Sequence, residues 1–147
     1  MILLDANLLV YASAEDLPQH AAARAWLGEA LRPGAPRVGI PWTSLLAFVR
    51  LTTNPRVLKQ PLALTEAWAM VESWLRIPRV WIPTPGEGHA AVLANLLRDV
   101  SRSEDVMDAH LAAIAVEHGL TLCSADRGFA RFRGLRWTNP LEKRAPA

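Results

Sequence analysis

Short apolar runs alternate along the chain with longer stretches of helical spacing. Met1-Ile2-Leu3-Leu4 is uninterrupted, as a strand buried on both faces would be. Asn7 to Ala12 reads as a short helical turn. Pro18 suits an early helix position, and Ala21 to Leu31 continues with Ala22, Trp26 and Ala30 four apart. After the loop Arg32-Pro33-Gly34-Ala35-Pro36, Val38 to Ile40 predicts a second strand. Pro41-Trp42-Thr43-Ser44 starts a helix through Leu45, Leu46, Phe48, Val49 and Leu51, almost uniformly apolar and therefore expected to be buried, and Asn54-Pro55 closes it. Thr65 is expected to cap a helix over Glu66 to Leu75, with Trp68, Val71 and Leu75 in one stripe. Val80-Trp81-Ile82 is a third strand before the Pro83-Thr84-Pro85-Gly86 turn. His89 to Val100 and Glu104 to His118 read as helices separated by Ser101-Arg102-Ser103, the second ended by Gly119. Leu120 to Cys123 and Leu135 to Trp137 are the last strands, and Glu142 to Ala147 is expected to fray.

Strands alternating with helices predict an α/β protein, a three-layer α/β/α domain with a mainly parallel central sheet. No repeat or linker divides it, so residues 1–141 are expected to form one domain. With 147 residues, 51% hydrophobic and 20% charged, the chain can bury a real core and is not a disordered segment. No apolar run reaches the roughly 18–20 residues that a membrane span needs, so no membrane partner is expected. The start reads directly as a strand rather than a leader, and the lone Cys123 fits a reducing compartment, so a cytoplasmic location is expected. The net charge of +2 permits a polyanionic partner without announcing one. Six tryptophans need cover, either in the core or at a subunit interface.

The candidate chemistry lies in three aspartates. Asp5 follows the first strand, Asp126 follows the fourth, and Asp108 lies near the start of a helix. The strand ends of a parallel sheet converge on one edge, the usual ligand crevice of such folds. Carboxylates gathered there repel one another unless a cation joins them, and a hard divalent ion with oxygen ligands suits the set. That arrangement points to metal-assisted phosphodiester cleavage. Asn7 and Ser124 are placed to orient the carboxylates. Arg127, Arg131, Arg133 and Arg136, with Arg50, could grip phosphate. Each feature also has a plainer reading. Asp5 could cap a helix, Asp126 with Gly128 could be a turn, and Glu104 and Asp105 could be an acidic first helical turn. His20, His89, His110 and His118 read as helix-surface or capping groups.

Several segments in order resemble PIN-domain ribonucleases of the VapC toxin type. These are Leu4-Asp5-Ala6-Asn7, Asp108-Ala109-His110-Leu111-Ala112-Ala113, Ser124-Ala125-Asp126 and Phe129-Ala130-Arg131-Phe132. Pro41 to Arg50 and Leu135 to Leu141 resemble one branch of these toxins. The resemblance implies a metal-dependent endoribonuclease of a toxin–antitoxin pair, using Mg²⁺ or Mn²⁺ held by Asp5, Asp108 and Asp126. It implies an RNA substrate, a homodimer and a cognate antitoxin protein. The chain departs from the family pattern where most relatives carry a glutamate, near Ala47, and where many carry a further acid, at Gly128. This thinned cluster supports one metal ion more readily than two.

Two other readings remain open. A phosphoaspartate protein with Asp5 as nucleophile would need a lysine near the site, and the only lysines, Lys59 and Lys143, follow no strand. A degenerate PIN-like module that dimerises and binds an antitoxin without catalysis would fit the missing acids.

Overall fold

Strand β1 (Ile2–Leu4) is the centre of a five-stranded sheet in this computed structural model, which describes residues 1–142. Parallel to it lie β2 (Val38–Gly39) on one side and β4 (Thr121–Cys123) on the other. Leu3 stands opposite both Gly39 and Leu122. The strands β3 (Val80–Trp81) and β5 (Trp137–Thr138) complete the order β3-β2-β1-β4-β5, every pairing parallel.

Side chains alternate across this sheet and feed two cores. Leu4, Val38 and Cys123 enter the first, covered by α1 (Ala6–Ser13), α2 (His20–Leu31), α3 (Trp42–Thr52) and α4 (Leu64–Leu75). Phe48 of α3 meets Trp74 of α4 edge-on there, with ring centroids 4.8 Å apart. Leu3 and Leu122 enter the second core, covered by α5 (His89–Leu96) and α6 (Val106–Glu117). The predicted α/β/α layering is therefore present. In α6 Ala109 and the run Leu111–Ala115 are buried, and the alanines among them let the helix lie close to the sheet.

The pattern located the elements better than their ends. Residues 7–12 belong to a full helix, because Asp5 caps it by accepting the Ala6 N–H at 2.7 Å. Pro18 lies in the turns before α2 rather than inside it. Thr65 is the second residue of α4 and caps nothing; Ala63 holds the cap position. The helix expected to reach Val100 changes at Leu97–Asp99 to a tighter 3₁₀ turn, and Ser103–Asp105 forms another before α6. The last strand is shifted to Trp137–Thr138. α3 is not wholly buried: Leu45 and Phe48 are, but Trp42 and Leu46 are exposed. Gly119 ends α6 as predicted, at φ +63°, where the Leu120 and Gly119 N–H groups donate to Ala115 and Val116 carbonyls. Glu142 is held by Arg127 at 2.9 Å, and the rest of the expected frayed tail, residues 143–147, lies outside the described residues.

Candidate active site

The chain leaves β1 toward β2 and later returns to place β4 on the opposite side of β1. Strand order reverses there, which opens a crevice outside the carboxyl ends of β1 and β4. Asp5 and Ser124 stand at those two ends, tied by the Asp5 N–H donating to the Cys123 carbonyl at 3.1 Å. One Asp5 oxygen caps α1, and the other accepts the Ser124 hydroxyl at 2.7 Å. Ser124 Oγ accepts in turn from Asn7 Nδ2 at 2.9 Å and from the Asp126 N–H at 3.0 Å. Asn7 Oδ1 accepts the Ala125 N–H at 3.3 Å. Ser124, held by Asn7, thus orients the Asp5 carboxylate and takes the Asp126 backbone N–H, but touches neither the Asp108 nor the Asp126 carboxylate. Buried Ser44 adds a brace from α3, donating to the Leu4 carbonyl at 2.7 Å.

Asp5 and Asp108 share a cleft of about 570 Å³, whose walls include Thr43, Ala47, Arg50 and Glu104. A larger cavity of about 710 Å³, lined by Trp26, Val38 and Cys123, contains none of the three aspartates. Burial, then the charges of Asp126 and Asp5, push the Asp108 carboxyl up to about 6; Arg131 opposes this and Asp105 adds to it. Burial also raises Asp5, against the hydrogen bonds from Ser124 and Ala6 that favour its ionised form. Asp126 is exposed, and one of its oxygens accepts the Gly128 N–H at 2.7 Å, the turn geometry that was the plainer reading. Its charge nevertheless acts on both other acids. Among the described residues no three Asp, Glu, His or Cys side chains are arranged to close around one ion. Asp5 and Asp108 therefore share the cleft while Asp126 stands beside them, coupled through charge. All the donors are oxygens, which suits a hard divalent ion that keeps several waters.

The arginines do not gather as one cluster. Arg133 reaches toward Asp99, and Arg136 donates to the carbonyl of Gly119, which precedes β4 at the opposite edge of the sheet. Arg127 pairs with Glu142 on the surface. Arg131 acts on Asp108, and Arg50 lines the cleft. Glu104 pairs with Arg102 at 2.6 Å, while Asp105 takes Arg131 at 2.6 Å, a partnership invisible in the sequence. Ala47 faces the cleft and supplies no acid. His89 is not a lone surface group: its Nδ1 meets Glu117 at 2.5 Å and its Nε2 meets His110 Nδ1 at 3.0 Å. His118 donates to the Thr84 carbonyl at 2.7 Å.

Fold and site together define a parallel α/β/α domain with carboxylates collected at its switch point. The PIN domain family model matches residues 2–135. The chain is 43% identical over 143 residues to Ribonuclease VapC43 of Mycobacterium tuberculosis, covering 97% of each chain. Among solved structures it is similar to FitAB bound to IR36 DNA, with TM-score 0.68, 22% identity and 99% of each chain covered. It is also similar to VapBC2 from Rickettsia felis bound to a promoter DNA fragment, with TM-score 0.64, 15% identity, and 95% of this chain and 98% of that one covered. The chain belongs to the PIN-domain family, in its VapC group.

Proposed function

We propose that this chain is a metal-dependent endoribonuclease, the toxin of a toxin–antitoxin pair, and that Asp5, Asp108 and Asp126 are its acids. The family membership supports the RNA-cleaving activity. The observation that carries the site assignment is the cleft shared by Asp5 and Asp108, in which burial, and after it the charges of Asp126 and Asp5, raise the Asp108 carboxyl to about 6. Such crowding is relieved by a cation.

Asp5 and Asp108 would hold Mg²⁺ or Mn²⁺, with Asp126 beside them as a third ligand or as the group that orients the attacking water. A divalent ion there supplies charge neutralisation at phosphate and a bound water acidic enough to ionise near neutral pH. Ser124 and Asn7 keep the Asp5 carboxylate in one rotamer, so it need not reorganise during the reaction. Arg50 offers a guanidinium to the phosphate backbone from the cleft wall. Single-stranded or looped RNA is the substrate shape that fits an open cleft of this size. The partners are a cognate antitoxin protein and a second copy of the chain. VapBC2 and FitAB, the similar structures, are both DNA-bound. No helix among the described residues is long and apolar enough to cross a membrane, and the proposed location is the cytoplasm.

Cleavage of single-stranded RNA in Mg²⁺ or Mn²⁺ tests the assignment. Asp5→Asn and Asp108→Asn should each lower the rate at least on the order of 100-fold. An Asp108→Asn protein cutting as fast as wild type would refute it. The absent acid at Ala47, the glycine at 128 and the lack of a closed three-acid cage among the described residues favour the second reading, a non-catalytic module. That reading is the outcome if folded wild-type protein binds no Mn²⁺ and leaves RNA intact.

A further inference from the structure

The cleft that holds Asp5 and Asp108 is not acidic throughout. Leu46 and Ala47 of α3 and Met107 and Leu111 of α6 also line it. Met107 and Leu111 are four apart, so they share one face of α6. Leu111 is buried, but Leu46 and Met107 keep 56% and 59% of their surface exposed. A lone exposed leucine is ordinary. Two large apolar side chains on the walls of the cleft that holds the carboxylates are a local feature of the site. Ala47 continues the same surface, where a glutamate would have put a charge.

We propose that Leu46 and Met107 are the nucleobase platform of this cleft: an unpaired base of the cleaved RNA strand rests its face on them while the adjoining phosphate lies at Asp5 and Asp108. This inference rests on the RNA-cleaving reading and adds how the substrate is gripped. The occupant follows from covalent connection. A phosphodiester brought to the carboxylates carries a nucleoside on each side, and a single sugar separates phosphate from base, so the bases arrive in the same cleft of about 570 Å³. The face of a base is aromatic and apolar, and it gains by leaving water against apolar side chains. In a duplex those faces are already stacked, so the platform selects unpaired RNA. The polar groups on the walls add little base identity. Glu104 is taken by Arg102 at 2.6 Å, and the Ser44 hydroxyl is spent on the Leu4 carbonyl. Arg50 suits phosphate, and the Thr43 hydroxyl both donates and accepts. The grip is therefore on the face of the base rather than its edge, and it tolerates all four bases.

The test pairs variants of the full chain with an altered substrate. The wild-type cleavage site is mapped in a single-stranded RNA oligonucleotide, and the base is then removed from each nucleotide flanking it in turn. Leu46→Ala and Met107→Ala remove platform surface at exposed helix positions, where alanine is well tolerated. Each should lower kcat/KM on intact RNA about 10-fold, mainly through KM, because the contact holds substrate and transition state alike. Loss of one flanking base should cost wild type a similar factor, and the variants should lose little more on that abasic strand. Exchange among the four bases at that position should change the wild-type rate less than 3-fold. Variants that cut intact RNA as wild type does would overturn the inference and leave these side chains to a protein partner. Variants that lose the same factor on intact and abasic strands would also overturn it, with the nuclease reading still standing. Folded wild type that leaves every strand intact would overturn the nuclease reading and this inference together.

Discussion

Asp5 performs two jobs with one carboxylate, capping α1 with one oxygen and taking the Ser124 hydroxyl with the other. Ser124 is the hinge of that arrangement, since its hydroxyl also receives Asn7 and the Asp126 amide. Ser124→Ala should weaken Mn²⁺ binding by about 10- to 100-fold, as loss of a ligand-orienting partner does elsewhere. Calorimetry reads this directly, and an unchanged affinity would show that Asp5 needs no such support. Asp108 makes a prediction about pH. Its folded-state pKa, about 6, lies above the ordinary 3.8. Between those values the folded protein holds a proton that the unfolded chain has lost, so stability falls as pH rises through that window. Burial shifts Asp5 in the same direction, which adds to the effect. Melting temperature measured without metal should therefore drop from 3.8 to about 6, and Asp108→Asn should flatten the drop. A melting temperature that rises across this window would contradict the electrostatic picture of the cleft.

At the scale of elements, the end of α6 shows what local sequence can specify. Gly119 takes φ +63°, and the nearest atom to a Cβ there, Arg136 Nη2, is 3.9 Å away. Substitution meets only an ordinary van der Waals contact, so the cost is conformational. Gly119→Ala should cost about 1 kcal/mol in urea unfolding and leave Mn²⁺ affinity unchanged. A loss below a few tenths of a kcal/mol would contradict the strained-cap reading. Such signals are local, which is why Gly119, the strand cores and the strand-end acids were legible in the sequence. Other features depend on contacts between distant segments. Thr65 has capping chemistry, but the chain enters α4 two residues earlier. Arg133 and Arg136 sit close to Asp126 in sequence, yet the chain carries them to Asp99 and Gly119. His89 finds Glu117 across 28 residues, and no spacing rule links the two. The Arg131–Asp105 pair was equally hidden, although both residues had been noticed separately.

For the molecule as a whole, sheet order governs the chemistry. A parallel sheet in the order β3-β2-β1-β4-β5 brings residues 5 and 124 to one crevice, and α6 delivers Asp108 to the same cleft. The need to cover tryptophan is met only in part. Trp74 is buried, but Trp42 and Trp68 stack on each other at 6.4 Å and remain about 40% exposed. That face suits the proposed homodimer or antitoxin contact, where aromatic residues are enriched. The central claim concerns where a divalent ion binds, and the most direct measurement is anomalous diffraction from crystals soaked in Mn²⁺. The account predicts one peak per chain, within coordination distance of the Asp5 and Asp108 carboxylates and absent in Asp108→Asn crystals. Manganese bound away from both residues, or a peak undiminished in the Asp108→Asn protein, would contradict it.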